Sequence, residues 1–159
     1  LFDAVASIAG VRQAVNYEGQ AAIEFEALAD RAEMGEYRFS IEPDDVARAA
    51  WRLNAVPVIR SVVDDVRSGV STSVISARFH NGLAAMVRDV CELLRARRGL
   101  NEVALSGGVF QNVTLLKRTL DRLRAAGFVV YTQHVVPPND GGLSLGQAVI
   151  AAALRVQGR

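Results

Sequence analysis

Apolar residues recur at helical spacing over most of the first hundred positions, and glycines close several of these stretches. This spacing predicts four helices, over residues 1–9, 20–34, 57–67 and 71–98. Apolar and polar residues instead alternate over 36–41 and 46–53, which predicts two strands joined as a hairpin. Pro43 and the two aspartates after it would also suit the start of a helix, but the alternation favours the strand.

The remaining third of the chain reads as a strand–helix–strand unit followed by one more helix. Residues 102–105 and 128–131 are short apolar runs that predict buried strands, and 110–126 between them has helical spacing. A parallel strand pair with a right-handed crossover is the expected packing. The loop over 136–142 then leads into an alanine-rich helix, predicted over 143–155.

Composition removes several classes of function. Lys and Arg number 18 and Asp and Glu 17, so a net charge of +1 gives no reason to expect nucleic acid as a partner. No apolar run is long enough for a membrane span, and Cys91, the only cysteine, excludes an internal disulfide and a cysteine-based zinc site. The 159 residues suit one domain. Because Leu1 already lies in a helical pattern without a capping residue before it, the chain is expected to be the C-terminal piece of a longer protein.

The segment LSGGVFQN, residues 105–112, carries the clearest candidate chemistry. Gly107 and Gly108 lie between a buried strand and a helix, where backbone N–H groups and the helix dipole suit an anion such as phosphate. Ser106 has a hydroxyl to donate, and Asn112, expected one turn into the helix, would reach the same ligand. Glycines at such a turn also serve backbone geometry alone, so the motif by itself leaves both interpretations open.

The loop PPNDGG, residues 137–142, places Asp140 before the last helix. A carboxylate there either caps the helix or binds a metal at the end of a strand, and spacing alone favours the cap. Glu18, Glu24 and Glu26 are explained as charges at a helix start and on the surface. The roles of His80 and His134 stay open.

Five runs in this sequence, in the same order, resemble the C-terminal part of the HypF-type carbamoyltransferases. These are hydrogenase-maturation proteins whose last domain is related to the universal tRNA threonylcarbamoyltransferase domain. The runs extend over almost the whole chain: LFDAVASIAGV (1–11), YEGQAAIEFEALA (17–29), ISARFHNGLA (75–84), VALSGGVFQN (103–112) and PPNDGGLSLGQA (137–148).

The resemblance implies an α/β fold, the second lobe of an actin/Hsp70-like (ribonuclease H-like) ATPase with a helical insertion, over residues 1–159. In the family, carbamoyl phosphate and ATP give a carbamoyl adenylate bound to the enzyme. The carbamoyl group then passes to the C-terminal cysteine thiol of the partner HypE, on the way to the cyanide ligands of NiFe hydrogenase. An ATP-dependent transferase of the cytoplasm, with no role for nucleic acid or membrane, is therefore expected.

Matching positions carry the family's site onto this sequence. Asp3, Gly19 and Glu24 fall where the related fold holds the nucleotide ribose, in ATP or AMP. The phosphate and carbamoyl region falls at Gly107, Gly108 and Asn112, with Ser106 beside it. Asp140 falls at the carboxylate ligand of a divalent metal, Zn, Fe or Mg, which reverses the preference for a cap at this position.

The resemblance also shows what the sequence lacks. The family's histidine pair, a HxxxH-type motif that shares the metal, belongs to the first lobe and is absent, as are the other domains of the family. The chain alone is therefore expected to be inactive. Alternatives are an O-carbamoyltransferase of natural-product biosynthesis, a tRNA-modifying relative, and a nucleotide-binding scaffold lobe without catalysis. Tyr17-Glu18-Gly19-Gln20 and the run from Gly107 to Asn112 favour HypF over the tRNA-modifying family.

Overall fold

A computed structural model describes residues 1–43 and 51–156. Helices and two separate pairs of strands alternate along the chain, so the fold is α/β. The helices are α1 (Phe2–Ile8), α2 (Gln20–Ala27), α3 (Val56–Arg67), α4 (Thr72–Arg98), α5 (Val113–Ala125) and α6 (Leu143–Val156). The strands are β1 (Ser40–Pro43), β2 (Trp51–Asn54), β3 (Glu102–Leu105) and β4 (Val129–Thr132).

The N-terminal half is held by one apolar core, which we call the N-terminal core. It joins α1 through Val5, α2 through Phe25 and α3 through Val58 to Ile75 and Phe79 of α4, all at most 1% exposed. α3 begins with a proline in its first turn, where the missing N–H costs nothing. Ser71 caps α4, and its last turn carries three arginines that suit the negative end of the helix dipole.

The segment from Asp30 to Phe39 crosses α4 in an extended form, and polar contacts hold it there. Tyr37 N–H donates to the carbonyl of Arg78 at 3.2 Å, and Asn81 Nδ2 donates to the carbonyl of Gly35 at 2.8 Å. The crossing is so close that a Cβ on Gly82 would overlap the Tyr37 carbonyl oxygen and lie 3.0 Å from its carbon. Glycine is therefore required at this point of α4 by the backbone above it.

The predicted strand–helix–strand unit is confirmed. β3 and β4 pair in parallel, with Glu102 opposite Val129 and Leu105 opposite Thr132, and α5 connects them. Leu105, Leu123 and Phe128 form a second core, the βαβ core, against which Val87 and Cys91 of α4 pack. α4 therefore contributes its N-terminal half to one core and its C-terminal half to the other.

Several predicted elements have different bounds in the structure. The helix predicted over 20–34 ends at Ala27, because Asp30 N–H donates to the carbonyl of Ser73 and the Asp30 carboxylate accepts from Ala32 N–H. Only residues 40–43 pair as the first strand, with β2 antiparallel to it. Residues 46–50 of the predicted second strand lie outside the described residues. The helix predicted over 110–126 begins at Val113, after a 3₁₀ turn over Gly108–Gln111.

Among the described residues, no helix has both the length and the apolar character that a membrane span requires. α6 differs from the other helices, since none of its residues is buried and Leu143, Val149 and Ile150 are all at least 60% exposed.

Candidate functional site

Two loops and the start of a helix enclose a cleft of about 720 Å³, a volume in the range of small-molecule sites. One wall comes from the start of α1 and from Gly19 and Glu26 at α2. The other comes from the 3₁₀ turn at Gly108, from Asn112, and from the loop that carries Asp140. We call this space the interloop cleft. It brings together four of the predicted site residues from three distant parts of the sequence: Gly19, Gly108, Asn112 and Asp140.

The glycine turn is fixed to the second loop by its backbone. Gly107 has φ +100°, in the region that favours glycine, and its N–H donates to the carbonyl of Pro138 at 2.8 Å. That donor is consequently already used within the chain. The N–H groups of Gly108 and Val109, at the start of the 3₁₀ turn, donate to no described residue. These two are therefore the backbone donors that the turn offers to a ligand.

The cap before the last helix is made by Asn139, the neighbour of Asp140. Asn139 Oδ1 accepts from Gly141 N–H at 3.1 Å, and the Asn139 carbonyl accepts from Gly142 N–H at 3.0 Å. Asp140 itself is exposed, and its carboxylate accepts no hydrogen bond from any residue of the described ranges. The side-chain cap that spacing alone favours for Asp140 is thus supplied by another residue, and the Asp140 carboxylate is left to the cleft.

Asn112 does not lie one turn into a helix, as the sequence predicted, but caps α5. Its Oδ1 accepts from Leu115 N–H at 2.7 Å, and its Nδ2 lies 2.8 Å from His80 Nε2. Thr114 N–H donates to the Glu26 carboxylate at 2.7 Å. Because these contacts satisfy the first N–H groups of α5 and place a carboxylate there, the N-terminus of α5 is not the anion site that the sequence pattern suggested.

His80 is a buried polar residue directly behind Asn112. Its side chain is fully buried, its Nδ1 lies 2.7 Å from the carbonyl of Ser76, and its ring packs on those of Phe2 and Phe25 at 5.3 and 5.8 Å between centroids. Burial lowers the pKa of His80 below its ordinary value of 6.5, because the charged imidazolium loses its hydration. The imidazole is therefore neutral at physiological pH.

This lowered pKa makes the fold sensitive to acid. A buried histidine with a lowered pKa binds its proton more tightly in the unfolded chain, so stability is complete above about pH 6.5 and falls as the pH drops below that value. We expect the free energy of unfolding, measured in urea from pH 7.5 to 4.5, to decline with a limiting slope of about 1.4 kcal/mol per pH unit from this group. His80→Gln should flatten that slope, and an unchanged pH profile would contradict the assignment.

Four predicted site residues do not line the interloop cleft: Asp3, Glu24, Ser106 and Gly107. Glu24 pairs with Arg12, Oε2 to Nε at 2.7 Å, and this contact lowers the pKa of the Glu24 carboxyl and raises that of Arg12. Asp3 is exposed beside Phe2, which does line the cleft. The Ser106 hydroxyl accepts from Gln133 Nε2 at 2.7 Å. His134 also lies outside, with its Nε2 3.4 Å from Thr132 Oγ1.

Sequence reasoning missed two residues that the structure places at or behind the cleft. Glu26 lies two positions after Glu24 and therefore points about 200° away around the helix, toward the cleft. The two-residue spacing between Glu24 and Glu26 indicates that they lie on opposite faces of α2, so knowledge of which face is buried would have identified Glu26. His80 gave no such signal, because a histidine on an apolar helix face is usually only packed.

The charges on the cleft wall are all negative within the described residues. Glu18, Glu26 and Asp140 line it, and no lysine, arginine or histidine does. In the same ranges, no group of three or more His, Cys, Asp or Glu side chains is placed to hold a metal ion. Asp140 alone does not make a metal site, so residues 1–43 and 51–156 supply at most part of one.

A family model and curated relatives place this chain in the same group of proteins. Residues 1–147 match a family model described as the Kae1-like domain of carbamoyltransferases, second subdomain. Carbamoyltransferase HypF of Synechocystis sp. is 34% identical over 149 residues, and that of Rhizobium leguminosarum bv. viciae is 37% identical over 154. These alignments cover 92% and 95% of this chain but only 18% and 19% of the relatives, so the chain spans about a fifth of their length.

Solved structures that resemble this chain are also HypF proteins. A crystal structure of full-length HypF in the phosphate- and nucleotide-bound form matches with a TM-score of 0.89 and 43% identity, covering 96% of this chain and 20% of that one. HypF of T. kodakarensis matches with a TM-score of 0.74 and 25% identity, covering 99% and 20%.

Proposed function

The chain belongs to the HypF carbamoyltransferase family, and on that premise we propose that the interloop cleft is one wall of a carbamoyl-transfer site used in hydrogenase maturation. The observation that supports this proposal most strongly is that one cleft is lined by four of the predicted site residues, Gly19, Gly108, Asn112 and Asp140. They are up to 121 positions apart (140 minus 19), and the family resemblance implies a site role for each of them. We also propose that the fold is the second lobe of an actin/Hsp70-like ATPase, with the facing lobe outside this chain.

The proposed ligand is ATP, or AMP after the reaction. The free N–H groups of Gly108 and Val109 suit phosphoryl or carbamoyl oxygens, and the full-length HypF relative with 43% identity was solved with phosphate and nucleotide bound. The wall itself carries three carboxylates and no cation, so the charge that neutralises the phosphates has to come from outside these residues.

In the proposed reaction, water cleaves carbamoyl phosphate to carbamate and phosphate. A carbamate oxygen then bonds to the α-phosphorus of ATP as pyrophosphate leaves, which gives a carbamoyl adenylate. A HypE-like acceptor then presents a cysteine thiolate, whose sulfur bonds to the carbamoyl carbon as the bond to the AMP oxygen breaks. AMP is the leaving group and the thiolate comes from the partner, so the chain needs no nucleophile of its own. Cys91 fits this reasoning, because it is half-buried and burial raises the pKa of its thiol.

For the divalent metal, we propose that Asp140 contributes one carboxylate to a site completed by residues outside this chain. Its free carboxylate on the cleft wall supports this role. The metal, when bound, would supply positive charge opposite the phosphates.

Substitution of Gly108 tests the nucleotide proposal. A Cβ at Gly108 would meet only Asn139 Cβ at 3.8 Å and Gln111 Oε1 at 4.0 Å, so the fold accommodates the Cβ of Gly108→Val, and we expect the two methyl groups beyond it to fill space in the cleft. We expect the affinity of the full-length protein for AMP, measured by calorimetry, to fall at least about tenfold.

Gly146→Val is the matched control, because a Cβ at Gly146 in α6 meets nothing within 4 Å. It should leave the AMP affinity unchanged. Equal affinity of wild type and a folded Gly108→Val variant would refute the placement of the nucleotide. Binding without any carbamoyl transfer in the wild type would instead favour the scaffold alternative.

A further inference from the structure

We propose that His80, which no part of the proposed mechanism uses, is a positioning residue for the interloop cleft and acts through Asn112. The inference deepens the proposed function and rests on it for its effect on the ligand. His80 is completely buried and does not line the cleft, whereas Asn112 does. His80 also packs on Phe2, which lines the cleft, but Asn112 is the cleft residue whose side chain it hydrogen-bonds, so the directional effect of His80 on a bound ligand passes through Asn112.

The directions of the hydrogen bonds follow from one fixed acceptor. The Ser76 carbonyl can only accept, so His80 Nδ1, 2.7 Å away, carries the proton. In a neutral imidazole Nε2 then has a lone pair, and the group opposite it at 2.8 Å must be a donor, which is the Asn112 amide nitrogen. Asn112 Oδ1 is thereby directed to Leu115 N–H at 2.7 Å, in the cap of α5.

This chain of bonds has no alternative arrangement with the same number of bonds. If Asn112 turned its amide over, its oxygen would face the His80 lone pair and its NH₂ group would face the N–H of Leu115. A protonated His80 would present N–H groups at both nitrogens, so it would oppose the Asn112 NH₂. Neutral His80 therefore holds the Asn112 side chain in one orientation. It thereby fixes how the Asn112 amide faces a ligand in the cleft.

The surroundings of His80 favour the neutral form. Phe2 of α1, Phe25 of α2 and Phe79 of α4 pack around its ring. The charged groups that face it are Glu26 of α2, which favours the imidazolium, and Arg118 of α5, which opposes it. Burial outweighs the carboxylate, so the acceptor at Nε2 is maintained.

The test compares His80→Leu, which removes the acceptor and keeps an apolar side chain, with His80→Gln, whose Oε1 can accept from Asn112. In the full-length protein we expect His80→Leu to weaken AMP binding about tenfold and His80→Gln to restore most of that affinity. Ile75→Ala, at a buried position of the same helix in the N-terminal core and not among the residues that line the cleft, is the control and should lower the melting temperature without changing AMP affinity.

A spectroscopic measurement separates this inference from the proposed function. Imidazole ¹⁵N shifts of His80 at pH 7 should show the proton on Nδ1, and the Asn112 side-chain amide resonance should move in His80→Leu but not in Ile75→Ala. If wild type binds no AMP, the proposed nucleotide site fails while these shifts still decide the positioning role. A proton on Nε2, or a folded His80→Leu with wild-type AMP affinity, would overturn it.

Discussion

Asp140→Asn in the full-length protein should reduce carbamoyl transfer by at least about a hundredfold while leaving the fold intact. Loss of a residue that only hydrogen-bonds a metal ligand typically lowers metal affinity or activity 10–100-fold, and Asp140 is proposed to be a ligand itself. The fold should survive because Asn139, not Asp140, makes the cap of this loop. The measurements are acceptor-dependent release of AMP and metal content after dialysis, for wild type and variant.

Asp121→Asn is the control for loss of one negative charge, because Asp121 is exposed on α5 and does not line the interloop cleft. It should retain both activity and metal. Normal transfer and normal metal content in Asp140→Asn would show that this carboxylate is not a ligand.

Gly82→Ala should destabilise the fold more than any other single methyl group added to α4. The new Cβ would overlap the carbonyl oxygen of Tyr37 and lie 3.1 Å from its nitrogen, and neither backbone atom can move without breaking the Tyr37–Arg78 hydrogen bond. We expect a loss of about 3 kcal/mol in the free energy of unfolding, at the upper end for overpacking. Urea denaturation followed by far-UV circular dichroism would measure it.

Gly146→Ala provides the comparison, since this glycine also lies inside a helix but has open space at its Cβ. Alanine should stabilise that helix by up to about 1 kcal/mol through its higher helix propensity. If both variants unfolded at the same urea concentration as wild type, the close crossing of α4 by the segment around Tyr37 would be wrong.

Helical and strand periodicity predicted most of the fold. It failed where contacts between residues far apart in the sequence determine where an element ends. The long helix, the helix that begins near Pro57 and the parallel pair β3–β4 follow from local spacing. The region after Ala27 is rich in helix formers, yet Asp30 N–H donates to Ser73, 43 residues away (73 minus 30), and the helix ends. No local pattern contains that bond.

The candidate site was predictable in its loops and less so in its helices. Gly108 and Asp140 lie in loops whose glycines and prolines fix the chain path, and both reach the cleft. Glu24 and Glu26 are both plausible on sequence grounds, and only the packing of Phe25 between them decides that Glu26 faces inward. The apolar pattern predicts Asn112 inside a helix, because that pattern carries no sign of the cap that Asn112 makes with Leu115 N–H.

The two halves of α4 pack in different cores, and the buried residues of the helix all lie in its N-terminal half. Amide protons in the two halves of α4 should therefore exchange at different rates in deuterated water. Nine buried residues of α4 fall between Ile75 and Ala85, among them Ile75 and Phe79 of the N-terminal core, whereas most residues of the last turns toward Arg98 are exposed. Amides near Phe79 should therefore exchange only when the whole domain opens, and those near the end of the helix by local fraying. The slowest-exchanging amides would then lie directly beneath Asn112, and the cleft would rest on the last part of the protein to unfold.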